Sequence, residues 1–446
     1  MTDGERLTAI LAQYAIPCDK FSFHGKLDAL AAGLGIQTQG RLLGDVLDDI
    51  AAKMGVERDN RLYGTFIRKL YEDVTSGEDT TLSGNTLLLE NCIGGRTLKA
   101  LHIYGKSTQD GTPSPDNPVP IVSAGDGGSI TLKVTGKNLH HATQIGEFYS
   151  AGINMTIKAS TIALKGTATE DILFTRWLVE KDKPLLLDPN KRYTISPRNI
   201  GVMVYAYDEE GIGTYNGSKI PERSTGAGVY YQRNLKKDET VDLKISIQVE
   251  LGTEATEYEP YREQLLVLQT PNALPGIPVS SSGNYTDENG QQWVCDEVDL
   301  ARGVYVRRVT KIKLTSSMRW TKAGNKVDRY FYTFDGINTV GVLCTHFSAA
   351  INGETVGGIA TSSSNIIGFA YAERGTTTVD DFKAFLDANE VYVYVPLATP
   401  VETALSSAEI AAYKALTTYA PTTVISANGV SGLKATYRHT KTAKDT

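Results

Sequence analysis

Apolar and polar positions recur in two different rhythms along this chain. In RLLGDVLDDIAAKM, Leu43, Leu47, Ile50 and Met54 return every three or four residues while Asp45, Asp48 and Asp49 lie mostly opposite, which predicts an amphipathic helix. RLYGTFIRKLYEDV repeats the pattern with Tyr63, Ile67, Leu70, Tyr71 and Val74. A helix is expected over residues 3–15, carrying Leu7, Ile10, Leu11 and Tyr14 and ended by Pro17, and a shorter one around Leu27–Leu34. Residues 1–80 thus read as a helical domain, either an independent small bundle or a module that docks the protein onto a larger assembly.

After the polar stretch TSGEDTTLSGN (75–85), read as a linker, the rhythm becomes period two. Thr86–Asn91, Thr97–Tyr104, Pro118–Ser123 and Ser129–Thr135 read as strands of a β-rich connector module at 81–136. The prolines of DGTPSPDNP (110–118) exclude helix and central strand, leaving a surface loop. Residues 137–265 hold further strand signals at Gly152–Lys158, Thr161–Thr167, Tyr193–Ser196, Gly201–Tyr207, Gly228–Gln232 and Thr240–Glu250, the spacing of an antiparallel sandwich. The rest, 266–446, reads as a β-rich domain with a Pro-rich connector (268–278) and a TDENG hairpin turn (286–290). It also carries two short helices: VDDFKAFLDANE behind Thr378 as N-cap, and SSAEIAAYKALTTY, where Ser406 and Glu409 have capping-box spacing and Pro421 stops the helix. The tail KATYRHTKTAKDT is expected to fray. No fixed short period recurs, which argues against a solenoid or β-helix spike.

Composition narrows the classes. With 41% hydrophobic and 22% charged residues, the 446-residue chain is globular and long enough for about three domains. No apolar run approaches the roughly 20 residues of a membrane helix, so no membrane insertion is expected. The start, MTDGERLTAILAQYAIPCDK, predicts no secretory leader. A net charge of -6 lacks the basic footprint of nucleic-acid binding. Cys18, Cys92, Cys295 and Cys344 lie far apart and read as reduced thiols. The 23 tyrosines, against 11 phenylalanines, suit half-exposed strands and contact surfaces.

Chemistry-bearing motifs are scarce. GxSxG, GxxxxGK[ST] and HExxH are absent, and neither catalysis nor a cofactor is expected. Cys344 and His346 could offer two ligand atoms on one strand face, but nothing signposts the further ligands a metal needs, so a buried thiol beside an ordinary histidine is expected. His140–His141 reads as solvated after a turn. Asp287, Asn289 and Gly290 resemble a calcium loop but lack its bidentate acid, leaving a hairpin turn. Asp208–Glu209 and Asp380–Asp381 read as solvated acids or partners of a helix dipole, and no glycosidase acid pair stands out. The glycan-binding candidates are Arg176, Trp177, Tyr205, Tyr207, Tyr215, Tyr230 and Tyr231, because sugar rings stack their apolar faces on aromatics while polar groups take the hydroxyls. The alternative is that Tyr205 and Tyr207, on one strand face, pack under a neighbouring sheet.

LKALHIYGKSTQDGTPSPDNPVPIVSAGDGGSITLKVTGKNL (98–139) closely resembles a segment of minor structural and tail-fibre proteins from phages and prophages of Gram-positive bacteria. IQVELGTEATEYEPYREQ (247–264) resembles the closing strand of that group's carbohydrate-binding-like jelly roll; residues 274–309 and 379–416 resemble its next module and C-terminal region. The resemblance spans roughly 85–440. It implies a mainly β multidomain fold of jelly-roll, carbohydrate-binding-like sandwich modules behind the helical domain. It also implies a virion component made in the bacterial host cytoplasm, homo-oligomeric and often trimeric, attached to other tail or baseplate proteins and contacting a host cell-surface polysaccharide. It supplies no catalytic residue. The expected function is a tail-fibre or baseplate receptor-binding protein; the rivals are a structural tail component without affinity for cells and a glycan depolymerase.

Overall fold

The computed structural model describes residues 1–439 except 15, 17, 21, 55–62, 77, 93, 95–97, 199, 363 and 364. Strands hold 44% of the chain and helices 15%, so the protein is mainly β, with six helices among the described residues. Strand pairing is antiparallel except between Ser348–Asn352 and Gly358–Thr361.

Helices α1 (Asp3–Gln13), α2 (Phe23–Gly33), α3 (Leu43–Met54) and α4 (Tyr63–Ser76) bury their apolar stripes in one core that includes Leu7, Ile10, Leu27, Leu47, Ile50, Ile67 and Leu70. Thr2 and Glu5 form a capping box at the start of α1, which satisfies amides the helix itself leaves free. Residue 15 and Pro17, the expected end of this helix, lie outside the described residues. The bundle rests on the last strand, where Arg438 donates to Gln13 Oε1 at 3.3 Å and to the Val74 carbonyl at 3.4 Å.

Two expectations on either side of the chain fail together. The presumed linker contains a strand, Glu78–Gly84, and the first six residues of the presumed frayed tail (434–446) belong to another, Ser431–His439; the two pair from Glu78↔His439 to Gly84↔Leu433. Leu433, Ala435 and Tyr437 alternate into the core while Lys434 stays exposed, so a half-buried strand reads as polar when its partner is unknown. Residues 440–446 of the tail, and Thr97 of an expected strand, lie outside the described residues.

These strands open a seven-stranded sheet in the order Glu78–Gly84, Ser431–His439, Ala100–Gly105, Glu297–Asp299, Val304–Lys313, Tyr392–Ala404, Leu343–Cys344. A four-stranded sheet runs Glu263–Gln269, Ser129–Gly136, Thr423–Ala427, Thr86–Leu89. Leu87, Ile103, Leu132, Leu266, Ile425 and Leu433 join both sheets in one core. Residues 81–136 therefore do not form a connector module of their own, nor do 266–446 form one domain. Both contribute to a central body closed by strands from the two ends of the sequence.

Two further bodies are inserted into it. Residues 137–262 leave and return at paired strand ends, Thr135↔Glu263, with the Gly136 amide on the Arg262 carbonyl at 3.2 Å. Residues 314–391 do the same at Lys313↔Tyr392, with the Leu314 amide on the Val391 carbonyl at 2.8 Å. The 137–262 insert has its own core, whereas the core of 314–391 takes in Val393 and Val395 of the central sheet, to which its strand Leu343–Cys344 also pairs. That of 314–391 is rich in rings, with Trp320, Tyr330, Phe347, Phe369 and Phe382 buried together. In 137–262 two sheets face each other: Ile153, Met155 and Leu164 of one meet Val202, Val204 and Val229 of the other. Its strands Gly146–Ser150 and Ile172–Val179 escape the sequence reading, since the first is largely exposed and the second mixes charge and rings.

The expected caps are in place. Thr378 starts α5 (Val379–Ala388) and Ser406 starts α6 (Ser407–Ala415), each with a capping box. TDENG makes the expected turn: Asp287 Oδ1 accepts from the amides of Asn289 at 3.0 Å and Gln291 at 3.1 Å. Asp328 plays a comparable part ahead of α5. Only 3% exposed, it accepts from the amides of Gly375 (2.9 Å) and Thr377 (2.8 Å) and pairs with Lys322 at 3.0 Å. Burial draws this carboxyl upward, but those donors outweigh it and hold it well below the usual carboxylate range. A lowered folded value stabilises the protein above the unfolded pKa of about 3.9 and loses that stabilisation as pH falls below it. Asp328→Asn is expected to reduce unfolding free energy by about 2–3 kcal/mol at pH 7. In urea unfolding, the gap to the parent should narrow as pH drops from about 4 toward 2.

Candidate functional site

Strand parity in the second sheet of the 137–262 body builds an aromatic face. Along Val202–Tyr207, Val202, Val204 and Ala206 enter the core, so Met203, Tyr205 and Tyr207 point outward. Register sets Trp177 opposite Tyr230, and Tyr205 opposite Tyr215. The five rings are continuous: Trp177–Tyr230 at 5.0 Å between centroids, Trp177–Tyr205 at 6.2 Å, Tyr205–Tyr207 at 5.3 Å, Tyr205–Tyr215 at 4.7 Å and Tyr215–Tyr230 at 5.6 Å. Two glycines make room for them. A Cβ at Gly228 would meet Trp177 at 3.1 Å, and one at Gly213 would meet the Tyr205 ring at 2.4 Å.

Tyr215 is 63% exposed, and Tyr207 donates its hydroxyl to the Lys181 carbonyl. Burial, and then the neighbouring Tyr215, raise the Tyr230 hydroxyl above its ordinary value, so it stays protonated and able to donate at neutral pH. The ring partners of Tyr205 and Tyr207 belong to this same face and not to a second sheet.

Arg176 and Tyr231, expected at the same site, lie on the opposite side of the sheet. Tyr231 is fully buried in the core, and the Arg176 guanidinium stacks 3.7 Å over Phe148 of the facing sheet. The reason is the strand's period of two: neighbours in Arg176–Trp177 and in Tyr230–Tyr231 cannot share a face. Five of the seven candidates meet, and two support them from beneath.

Residues 180–187 separate this face from a cavity that sequence reading misses. Lys181 lies against Gly228, while Lys183, Pro184, Leu185 and Leu187 line a cavity of about 680 Å³. Its floor is the outward side of the four-stranded sheet, with Thr131, Lys133, Thr135 and Ser426. Asp188 lines it too: 7% exposed, it accepts the Asn190 amide on Oδ1 at 2.9 Å, while Oδ2 is buried without a hydrogen-bond partner. Glu288 ties the insert to the central body by accepting from Asn85 at 3.0 Å and Asn190 at 2.8 Å. His141 lines the cavity, but His140 is buried rather than solvated. Asn138 Oδ1 accepts its amide at 2.9 Å, and burial, with His141 adding, pushes the imidazole down to about 3.

Cys344 and His346 are both buried, with His346 Nδ1 against Thr345 Oγ1 at 2.9 Å. Burial pushes the Cys344 and Cys92 thiols up to about 12, which keeps them protonated and poorly nucleophilic. All four cysteines are free, and Cys18 is the partly exposed one. Among the described residues, three potential metal ligands converge only at His102, Glu297 and Asp299. His102 is distant in sequence from Glu297 and Asp299 and meets them through strand pairing. No helix among the described residues is long and apolar enough to cross a membrane.

Comparison of the chain with known protein families, curated proteins and solved structures finds no match.

The two sides of the sheet predict different responses to mutation. Tyr231→Ala is expected to cost about 3–5 kcal/mol of stability as a large-to-small change in the core. Tyr215→Ala, which loses only its ring contacts with Tyr205 and Tyr230, should cost about 1 kcal/mol. Urea unfolding midpoints measure both.

Proposed function

We propose that this protein is a receptor-binding component of a phage tail fibre or baseplate and that it binds a host cell-surface glycan through the outward face of Trp177, Tyr205, Tyr207, Tyr215 and Tyr230. The observation that carries the reading is the continuous run of five rings on a sheet face whose other side is core. Rings of this kind take the apolar face of a sugar, and tyrosine hydroxyls at their edges take its hydroxyls. Tyr215 is exposed, Trp177, Tyr205 and Tyr207 are half-buried and Tyr230 is buried beneath its neighbours, so a sugar would meet chiefly Tyr215 and the edges of the other rings. The two facing sheets of 137–262 suit a carbohydrate-binding-like jelly-roll sandwich, and the adjoining cavity has the size of a small-ligand site. In this reading the protein is a virion component made in the host cytoplasm, and several copies, a trimer foremost, make individually weak contacts effective on one particle. The α1–α4 bundle, with a core of its own, serves as the attachment to other tail proteins.

Purified protein incubated with cell walls from a panel of Gram-positive bacteria, with reducing ends assayed in the same tubes, tests this. Binding to some strains without new reducing ends is expected, and Trp177→Ala combined with Tyr215→Ala should weaken it at least about tenfold. New reducing ends would favour the depolymerase; no binding to the walls of a host that the phage infects would favour a tail spacer. Removal of residues 1–76, which spares the strand Glu78–Gly84, is expected to leave wall binding intact and abolish incorporation into particles, as read by immunoblot of purified virions.

A further inference from the structure

We infer that His102, Glu297 and Asp299 form a binding site for a divalent transition-metal ion, zinc first, independent of the aromatic face. Two adjacent strands of the central sheet assemble it. Glu297 and Asp299 sit two apart on Glu297–Asp299 and therefore share a face, and His102 is the direct cross-strand partner of Asp299. Leu101, Ile103 and Val298 fill the core on the opposite face. One atom from each of the three side chains lies within 4.8 Å of the other two.

The carboxylates are 7% and 4% exposed, and His102 Nδ1 is itself buried without a hydrogen-bond partner. That nitrogen lies 3.8 Å from Asp299 Oδ2. The gap is too long for a hydrogen bond; two ligands of one tetrahedral zinc, with bonds of roughly 2.0–2.1 Å, lie about 3.3 Å apart, so the pair must draw together by about half an ångström on binding. A mixed set of one imidazole and two carboxylates suits zinc better than calcium or magnesium, and an ion there would compete with the Arg308 and Arg302 guanidiniums that face these carboxylates.

Second contacts already orient the ligands. Asn284 Nδ2 donates to Glu297 Oε2 at 3.2 Å, Arg308 pairs with the same carboxylate at 3.2 Å, and the Arg302 amide donates to Asp299 Oδ1 at 3.0 Å. Tyr104 stacks parallel to the His102 ring at 5.9 Å. Arg308 also donates to Glu297 Oε1 at 3.4 Å and Arg302 Nε lies 3.9 Å from Asp299 Oδ2, so a bound ion takes those two oxygens in competition with the guanidiniums while the other contacts keep the carboxylates oriented. Three protein ligands leave a fourth tetrahedral position for water. The ion would clip Ala100–Gly105 to Glu297–Asp299 in the middle of the central sheet.

The test is calorimetric titration of the tag-free, chelator-treated full chain with zinc chloride, with calcium chloride as the comparison. One zinc per chain at micromolar or tighter affinity is expected, together with a rise of several degrees in the thermal midpoint and no comparable response to calcium. His102→Ala and Asp299→Asn should each weaken zinc at least about a hundredfold. X-ray absorption of the zinc-loaded parent, which needs no variant to fold, should show nitrogen and oxygen ligands without sulfur. No saturable zinc binding, several weak sites without a midpoint shift, a sulfur ligand, or parental affinity in folded His102→Ala would each overturn the proposal.

Discussion

The pairing of Glu78–Gly84 and Ala100–Gly105 with Ser431–His439 is the constraint on which the rest of the structure depends. It closes the chain on itself and supplies the central body with the hydrogen-bond partners its strand edges need. Everything between is hung from paired strand ends. The chain leaves at Gly136 and returns at Glu263, and leaves again at Lys313 and returns at Tyr392, each time to the neighbouring strand. Because closure entropy grows only with the logarithm of loop length, about 0.6 kcal/mol per doubling, long insertions at such points cost little. The 137–262 insert brings a separate core, and 314–391 brings a ring-rich core that it shares with Val393 and Val395 of the central sheet.

The same arrangement explains how a binding face is available at all. The 137–262 body satisfies its own core and meets the central body at its paired entry and exit, where Arg262 lies over the Tyr419 ring and Lys133 over Tyr261, and at Glu288, which bridges Asn85 and Asn190. One side of its second sheet is consumed by Val202, Val204, Val229 and Tyr231, and the other side is left to Trp177, Tyr205, Tyr207, Tyr215 and Tyr230. Gly213 and Gly228 leave room for the rings: a Cβ at Gly213 would overlap the Tyr205 ring, and one at Gly228 would press on Trp177. A face of this kind, with Tyr215 exposed and its neighbours half-buried, fits the stacking of a sugar ring.

How much was legible in the sequence follows the range of the interactions. Local signals were readable: the stripes of Leu43, Leu47, Ile50 and Met54, the caps at Thr378 and Ser406, the Asp287 turn, and Tyr205 with Tyr207 on one face. Features set by a distant partner were not. The strand Glu78–Gly84 resembles a linker until Ser431–His439 pairs with it, and His140 reads as solvated until Asn138 draws its backbone inward. Arg176 and Tyr231 were misplaced for a simpler reason. Neighbours in a strand point to opposite sides, and choosing the correct one requires knowing which side is core. His102, Glu297 and Asp299 were invisible because only sheet register brings them together.

Fluorescence at Trp177 addresses the central claim, that the outward aromatic face is where glycan sits. The other tryptophans, Trp293 and Trp320, lie in the central body and the second insert. Titration with soluble wall-polysaccharide fragments should give a saturable change in emission in the parent that disappears in Trp177→Phe. Fragments that bind, by equilibrium dialysis, without any change attributable to Trp177 would contradict the account.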